Sequence, residues 1–297
     1  MSRREPVDAE TEDPAQAFAL VGNETRAAIL RELVEDPHAG LSFSTLRERV
    51  DPEMDSSRFN YHLQQLVGQF VSHDEDGYAM RTEGLSLARA IIAGSYDRQV
   101  TVEPFDAGFD CYHCGTRVEA SYDDGMVTLV CPDCEQTYTD TSAPPSAVAG
   151  SDPEAVLHQI DQYNRHRIMA VARGVCPVCV TQMDGEFRPG TEAPMTGGDS
   201  FEYLLRRTCP HCGTQQYMTV GLALLHQPEL VTFFTRRGVD VVDTPMWHLP
   251  FAMTDDHVSV HAEDPLRLAL TVTADGDELT LVVDEDVTVV DSTVEPA

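Results

Sequence analysis

Eight cysteines arranged as four Cys-x-x-Cys pairs constrain the fold of this chain more than any other feature. No cysteine lies outside the pairs, which are Cys111/Cys114, Cys131/Cys134, Cys176/Cys179 and Cys209/Cys212. Two thiolates at this spacing are typical ligands of a tetrahedral metal ion. The first residues, MSRREPVDAETED, lack the apolar stretch of a signal peptide. We therefore expect a reducing, cytoplasmic location, and metal sites rather than disulfides.

The spacing between the pairs predicts two zinc ribbons. Sixteen residues separate Cys114 from Cys131 and contain a strand, Asp-Gly turn and strand pattern, whereas twenty-nine residues separate Cys179 from Cys209. We expect the first pair to combine with the second and the third with the fourth, with crossed pairing as the alternative. Four cysteines fill a tetrahedral shell, which favours two structural zinc ions and no catalytic metal. Iron is the chemical alternative, because thiolate tetrahedra suit both metals.

One helix-forming segment avoids acids in a very acidic chain. The protein has fifty acidic and twenty basic residues, a formal charge of −30, and all twenty bases are Arg. This composition is typical of halophilic proteins, whose surroundings screen repulsion between carboxylates. The net charge is therefore weak evidence against a nucleic-acid partner. The run SSRFNYHLQQLVGQFV, residues 56–71, contains neither Asp nor Glu.

This acid-free segment is predicted to be an amphipathic helix. Phe59, Leu63, Leu66 and Val67 recur at helical spacing and form one apolar stripe. The opposite face carries hydroxyl, amide, phenol and guanidinium groups, which bond base edges and phosphates. The candidate DNA contacts on this helix are Ser56, Ser57, Arg58, Asn60, Tyr61, Gln64 and Gln65.

The order of elements in residues 13–100 predicts a winged helix-turn-helix: three helices, the polar-faced helix, a hairpin at FVSHDEDGYAMR and a further helix. The segments LVGNETRAAILREL, LSFSTLRERV, SSRFNYHLQQLVGQFV and GYAMRTEG resemble the ArsR-type transcriptional regulators in the form common in halophilic archaea. The resemblance covers residues 14–97. It implies that the helix from Ser56 enters the major groove of double-stranded DNA, while the hairpin touches the flanking backbone.

The same resemblance implies a homodimer on two half-sites, for which the predicted helix Glu83–Asp97 offers apolar residues. Two departures from the family matter. Metal-sensing members carry a cysteine pair in the helix that corresponds to Ser44–Val50, but residues 1–110 contain no cysteine. The hairpin tip, residues 74–76, is acidic. We therefore expect the arms of the hairpin to contact DNA, through His73, Tyr78 and Arg81.

The remaining segments complete an α+β prediction. Residues 1–12 are predicted to be a disordered acidic tail, 101–140 the first ribbon and 141–152 a linker. Residues 153–297 are predicted to hold a long helix, the second ribbon and a small antiparallel β meander. Residues 162–183 are acid-free and include Arg165, Arg167 and Arg173. They predict a packed helix or, alternatively, a second anion-contacting surface. Trp247 and His248 are weak ligand-site candidates.

The sequence as a whole favours a sequence-specific DNA-binding transcriptional regulator with structural zinc, and no enzyme. Its effector, if any, is unknown. One alternative is a zinc-ribbon adaptor whose winged helix binds protein, which the acidic hairpin tip favours. A thiol-redox or nucleic-acid-modifying enzyme is a further alternative, although the chain has no GxSxG, HExxH or phosphate loop. No apolar run approaches the length of a membrane span.

Overall fold

The computed structural model describes residues 14–37, 39–194 and 197–296. The predicted acidic tail, residues 1–12, lies outside them. The chain divides into two compact units, one up to Gln99 with Pro144–Ser146, the other comprising Val100–Ala143 and the chain from Ala147 onward. Both units mix helices with small antiparallel sheets, so the protein is of the α+β class, as predicted.

The first unit contains five helices and one hairpin among its described residues. They are α1 (Pro14–Val21), α2 (Glu24–Leu33), α3 (Phe43–Val50), α4 (Ser56–Leu66), β1 (Val71–Asp74), β2 (Gly77–Met80) and α5 (Thr82–Ile92). Side-chain caps start three of the helices. Asn23 accepts a hydrogen bond from the Arg26 N–H, Ser42 accepts one from Thr45, and Asp55 caps α4.

Helix α5 is shorter than the predicted span Glu83–Asp97. Ala93 is its C-cap, and Gly94 follows with φ at +78°. A left-handed glycine directly after the C-cap is a common helix stop. The apolar periodicity of this segment therefore predicted the helix but overran its end by five residues.

The hairpin in the first unit is extended by a backbone bridge to Leu41. The N–H of Leu41 donates to the Tyr78 carbonyl and the N–H of Tyr78 donates to the Leu41 carbonyl, both at 2.9 Å. Gly77, with φ at +115°, makes this approach possible, because a Cβ there would lie 2.5 Å from the Leu41 oxygen. Leu41 thus bonds to the outer side of β2 and fixes the hairpin to the turn before α3.

The second unit begins with a four-stranded antiparallel sheet in the order β3-β4-β5-β6. Its strands are β3 (Val102–Asp110), β4 (Arg117–Asp123), β5 (Met126–Val130) and β6 (Thr137–Ser142). Strand β6 thereby extends two residues into the segment predicted as a linker. Helix α6 (Pro153–Ala172) follows, and then a three-stranded sheet in the order β7 (Asp184–Pro189), β8 (Tyr203–Thr208), β9 (Gln215–Met218).

Three short helices lead to the C-terminal meander. They are α7 (Val220–Leu224), α8 (Pro228–Arg236) and α9 (Pro250–Met253). The meander is a four-stranded antiparallel sheet of β10 (Val258–Glu263), β11 (Leu266–Ala274), β12 (Asp277–Val283) and β13 (Val289–Pro296). Asp275 and Gly276 turn the chain between β11 and β12 with φ at 52° and 77°, the positive pair that matches strand twist.

A buried ion pair within α6 also hydrogen-bonds to the segment before α9. Asp161 is fully buried and Arg165 is 4% exposed, with Arg165 Nε donating to Asp161 Oδ2 at 2.7 Å. The other two nitrogens of the guanidinium, Nη1 and Nη2, donate to the carbonyls of Val241 and Thr244. The Met246 N–H donates to Asp161 Oδ1. Arg165 therefore belongs to the core, and the alternative of an anion-contacting surface is wrong for this residue.

Candidate metal centres and nucleic-acid interface

The four Cys-x-x-Cys pairs share one backbone turn. The N–H of the first cysteine donates to the carbonyl five residues on, and the N–H four residues on donates back, all at 2.8–3.0 Å. The residue after the second cysteine has a positive φ in each turn: Gly115 (80°), Glu135 (59°), Val180 (61°) and Gly213 (75°). The turns are thus alike in backbone geometry, although only two of them use glycine at the left-handed position.

The eight cysteines form two groups of four. The first and second pairs combine, as do the third and fourth, and the sulfur atoms in each group lie within 4.8 Å of one another. Measured Sγ–Sγ distances are 3.4 and 3.6 Å in the first group and 3.5 and 3.6 Å in the second. A tetrahedron with Zn–S bonds of about 2.3 Å requires sulfur separations of about 3.8 Å. Both groups are therefore compatible with a structural metal ion such as zinc.

The second group gains hydroxyl contacts from two threonines that the sequence analysis missed. Thr181 Oγ1 lies 3.0 Å from Cys179 Sγ and 3.1 Å from Cys209 Sγ, and Thr214 Oγ1 lies 3.1 Å from Cys212 Sγ. The sequence did contain a signal, because three of the four turns have the pattern Cys-x-x-Cys-x-Thr. In the second group this threonine returns its hydroxyl to the sulfurs, whereas Thr116 of the first group donates its hydroxyl to Asp133 Oδ2 at 2.6 Å.

The first group uses a tyrosine instead. Tyr138 donates its hydroxyl to Cys111 Sγ at 3.2 Å and accepts from the Tyr112 N–H at 2.8 Å. The ring of Phe109 meets Tyr138 edge-on at 5.0 Å between centroids and shields this side of the site. No sequence signal marks Tyr138, because the contact depends on how β6 folds back over the first turn.

Two thiols in each group have a lowered pKa, Cys111 and Cys114 in the first and Cys176 and Cys209 in the second. Burial raises the pKa of Cys111, but hydrogen bonds from Tyr138 and from backbone N–H groups outweigh burial and lower it to about 6. The Thr181 hydroxyl and the Cys212 N–H lower the pKa of Cys209, also to about 6. Thiolate is the metal-binding form, so these thiols are the ligands most readily available to a metal ion at neutral pH.

Helix α4 places the predicted DNA contacts on one exposed side. Seven residues are exposed: Ser56, Ser57, Arg58, Asn60, Tyr61, Gln64 and Gln65. Phe59, Leu63 and Leu66 are fully buried on the other side, and His62 joins them at 8% exposure, which the sequence analysis missed. Burial, together with the charges of Arg26 and Arg58, lowers the pKa of His62.

The three DNA contacts predicted for the hairpin differ in how exposed they are. His73 and Arg81 are exposed, and Arg81 lies 3.7 Å from the carboxylate of Glu83. Tyr78 is only 6% exposed, so its predicted place on an open arm is wrong. Its ring packs in the core because β2 bonds to both β1 and Leu41, and His73 stacks over it at 4.1 Å between centroids. Its hydroxyl lies 3.5 Å from Gln64 Nε2 on α4.

The two weak ligand candidates lie inside the second unit. Trp247 is 1% exposed and its carbonyl accepts a hydrogen bond from the Tyr112 hydroxyl at 3.0 Å. Burial lowers the pKa of His248, which packs 5.4 Å from the Phe109 ring. Trp247 therefore belongs to the core, and the half-buried His248 packs at its edge against Phe109.

None of the helices in the described residues has the length and apolar content needed to cross a bilayer.

Comparison with known proteins matches two families. Residues 14–91 match the family described as Domain of unknown function (DUF7347). Residues 108–289 match the family described as Domain of unknown function (DUF7351), a stretch that covers both cysteine groups and more than half of the chain. Neither a curated protein nor a solved structure matches the chain. On the longer of the two matches, the chain belongs to the DUF7351 family.

Proposed function

We propose that this protein is a sequence-specific DNA-binding transcriptional regulator, in which residues 13–100 form a winged helix-turn-helix and the second unit is held by two zinc ribbons. One observation carries the proposal: α4 exposes seven polar or amphipathic side chains, without an acid, on the side opposite its buried stripe. Hydroxyl, amide and guanidinium groups on one helix face suit contact with base edges and phosphates in a major groove.

The cap of α4 supports this role. Asp55 Oδ1 accepts from the N–H groups of Ser57 and Arg58 at 2.9 and 3.2 Å, so its charge faces the helix N-terminus. The carboxylate that lies next to the exposed face of α4 in the sequence is thereby engaged in hydrogen bonds with the backbone. Arg58 is the single formal charge among the proposed α4 contacts, and we assign it to phosphate or guanine.

The hairpin fits the wing of such a domain. Its sheet contains β1, β2 and the bridge at Leu41; β1 exposes His73, and the exposed Arg81 directly follows β2 as the N-cap of α5. The tip carries Asp74, Glu75 and Asp76, all exposed. In this proposal the tip points away from phosphate, and only the arms approach the backbone of the DNA.

Zinc has a structural role in this proposal. Four thiolates fill the tetrahedral shell of each site, which leaves no open position for a substrate. All eight cysteines are free thiols, which is the state that a reducing cytoplasm maintains. Zinc is preferred to iron because a tetrahedral shell filled by four cysteines is a usual structural zinc site.

The proposed assembly is a homodimer on two half-sites one helical turn apart. A single α4 covers only a few base pairs. The first unit exposes Phe18 (74%), Ile92 (46%) and Tyr96 (74%), apolar or aromatic side chains that pairing would cover. A monomeric mass by light scattering in molar salt would contradict the dimer.

The test is selection of bound duplexes from a random DNA pool in molar salt. A single enriched motif is expected for the full-length, zinc-loaded protein. The double variant Gln64→Ala/Gln65→Ala should relax base preference, whereas Arg58→Ala should weaken binding on all sequences if Arg58 contacts phosphate. The control is Arg236→Ala, an exposed arginine on α8 of the second unit, which should change neither.

The alternative function is a zinc-ribbon adaptor whose first unit binds protein, and the acidic hairpin tip favours it. Three adjacent exposed carboxylates would repel phosphate but suit a basic protein surface. Unchanged affinity and base preference in the Gln64/Gln65 double variant would favour this adaptor over the regulator.

A further inference from the structure

A cleft opens inside the second unit between β6, α6 and β9. It has a smaller lobe of about 120 Å³ and a larger lobe of about 410 Å³. The lobes are adjacent, because they share lining residues from both edge strands: Tyr138, Thr139, Asp140, Gln216, Tyr217 and Met218 line both. A cavity of this size suits a small organic molecule.

The smaller lobe contains a cation without an acidic partner. Arg167 on α6 donates to Thr141 Oγ1 at 3.2 Å, and its Cζ lies 5.7 Å from the centre of the Tyr163 ring. Within the described part of the chain, Arg167 forms no ion pair with a carboxylate.

A buried amide adds a second donor to the same lobe. Asn164 is 6% exposed, and its Oδ1 accepts from the Thr141 hydroxyl at 2.8 Å. Its NH₂ group makes no hydrogen bond to another described residue. Arg167 and Asn164 therefore offer neighbouring N–H donors, which a ligand carboxylate can accept with charge assistance.

The larger lobe offers an apolar wall. Phe201, Leu204 and Leu222 line it, together with Met218 and Met253. Methionine side chains adapt their shape to an apolar ligand. The exposed carboxylate of Asp140 lies where the lobes join, which places an acceptor for an ammonium group within the same cleft.

We propose that this cleft binds a small organic carboxylate with an apolar body, the carboxylate at Arg167 and Asn164 and the body in the larger lobe. Both simple carboxylates and apolar α-amino acids carry this chemistry, and they differ in the ammonium group that Asp140 would receive. The site lies in the second unit and does not depend on the DNA-binding role of the first.

The test is ligand-detected NMR titration of the full-length, zinc-loaded protein in about 1 M KCl, where weak surface anion binding is screened. The probes are hydrocinnamate, L-phenylalanine and the neutral hydrocinnamamide. Saturable binding of a carboxylate probe is expected, with the amide about tenfold weaker or more. Arg167→Gln should weaken carboxylate binding by about tenfold to a hundredfold, the usual effect of losing a hydrogen bond to a charged group.

Two further variants separate the site from general effects. Gln216→Trp fills the junction of the lobes without touching Arg167 and should abolish binding. Arg173→Gln, an exposed arginine just beyond α6, should leave binding unchanged. Zinc content equal to that of the unsubstituted protein shows that each variant is folded.

Tighter binding of L-phenylalanine than of hydrocinnamate, lost in Asp140→Asn, assigns the ligand to the amino-acid class. The reverse order assigns it to simple carboxylates. Either result supports the site. No saturable binding of either carboxylate, equal binding of the amide, or unchanged binding in Arg167→Gln would overturn it.

Discussion

The hydroxyl of Tyr138 donates to the sulfur of Cys111 at 3.2 Å, so a residue outside the cysteine turns hydrogen-bonds directly to a proposed metal ligand. Groups that hydrogen-bond to ligands orient them, and their removal costs about tenfold to a hundredfold in metal affinity. Tyr138→Phe should therefore weaken metal binding by at least about tenfold at the first cysteine group, the group that its hydroxyl contacts. Competition with a chromophoric chelator measures this loss.

The control for this experiment is Tyr163→Phe, an exposed tyrosine on α6. Its metal affinity should equal that of the unsubstituted protein. Equal affinity in Tyr138→Phe would show that the hydroxyl has no influence on the metal.

Two zinc ions per chain are expected in protein kept reduced throughout purification. Cys131→Ser and Cys209→Ser, each in a different group, should lower the content to one ion and loosen the strands around the altered site. Structural zinc contributes on the order of 10–16 kcal/mol of apparent binding free energy in small finger peptides, so its loss is large. Elemental analysis with hydrogen exchange of the first unit, which should stay protected, measures both effects. Protein without metal, or with iron, would contradict the zinc assignment.

Val180 occupies a position that favours glycine. Its φ is +61°, and 77% of the side chain is exposed, so packing gives the valine no compensation. A β-branched residue in the left-handed region costs on the order of 1–3 kcal/mol. Val180→Gly should thus raise the free energy of unfolding of the zinc-loaded protein by about 1 kcal/mol, as measured by denaturant titration.

The equivalent turn provides the reciprocal control. Gly213 has φ at +75°, and nothing lies within 4 Å of a Cβ built there. Gly213→Val should therefore destabilise by backbone strain alone, in the same range. A Val180→Gly protein with unchanged stability would mean that the turn relaxes around valine.

His226 should make the second unit sensitive to mild acid. Burial, followed by the positive charges of Arg165, Arg173 and His166, lowers its pKa below the ordinary 6.5, although a hydrogen bond to the Arg165 carbonyl opposes this. Below pH 6.5 the unfolded chain therefore binds a proton that the folded chain does not, and stability falls as pH falls.

Denaturant titrations between pH 7 and 5 test this dependence. The loss of stability should be smaller in His226→Gln than in the unsubstituted protein, whereas His158→Gln, exposed on α6, should follow the unsubstituted protein. Thiol protonation changes the free energy of unfolding equally in all three proteins. A difference between their slopes of unfolding free energy against pH therefore reports His226 alone.

Capping residues, turn residues and apolar spacing predicted the helices and the turns, because these structures depend on residues that are close in the sequence. Asn23, Ser42 and Asp55 act as caps within three residues of the groups they satisfy. The apolar stripe of α4 likewise follows from helical spacing, and its Phe59 and Leu63 are fully buried.

The errors concern contacts between distant segments. Tyr78 is buried because β2 bonds to Leu41, 37 residues earlier, which hairpin alternation alone does not reveal. Arg165 lies in the segment predicted as a packed helix or, alternatively, an anion-contacting surface, and its partners Val241 and Thr244, 76 and 79 residues away, decide for the packed helix. The hydroxyl of Tyr138 was missed for the same reason, whereas Thr181 and Thr214 could have been found from their repeated spacing.

The buried cysteines of both groups, Cys111 and Cys131 with Cys176 and Cys209, belong to one hydrophobic core. A single core orders itself as a whole, so the ion that orders one group also lowers the entropic cost of ordering the other. By thermodynamic reciprocity each ion then raises the affinity for the second. We therefore expect metal uptake by this unit to be cooperative, so that protein kept short of zinc should contain more full and empty molecules than two independent sites would give.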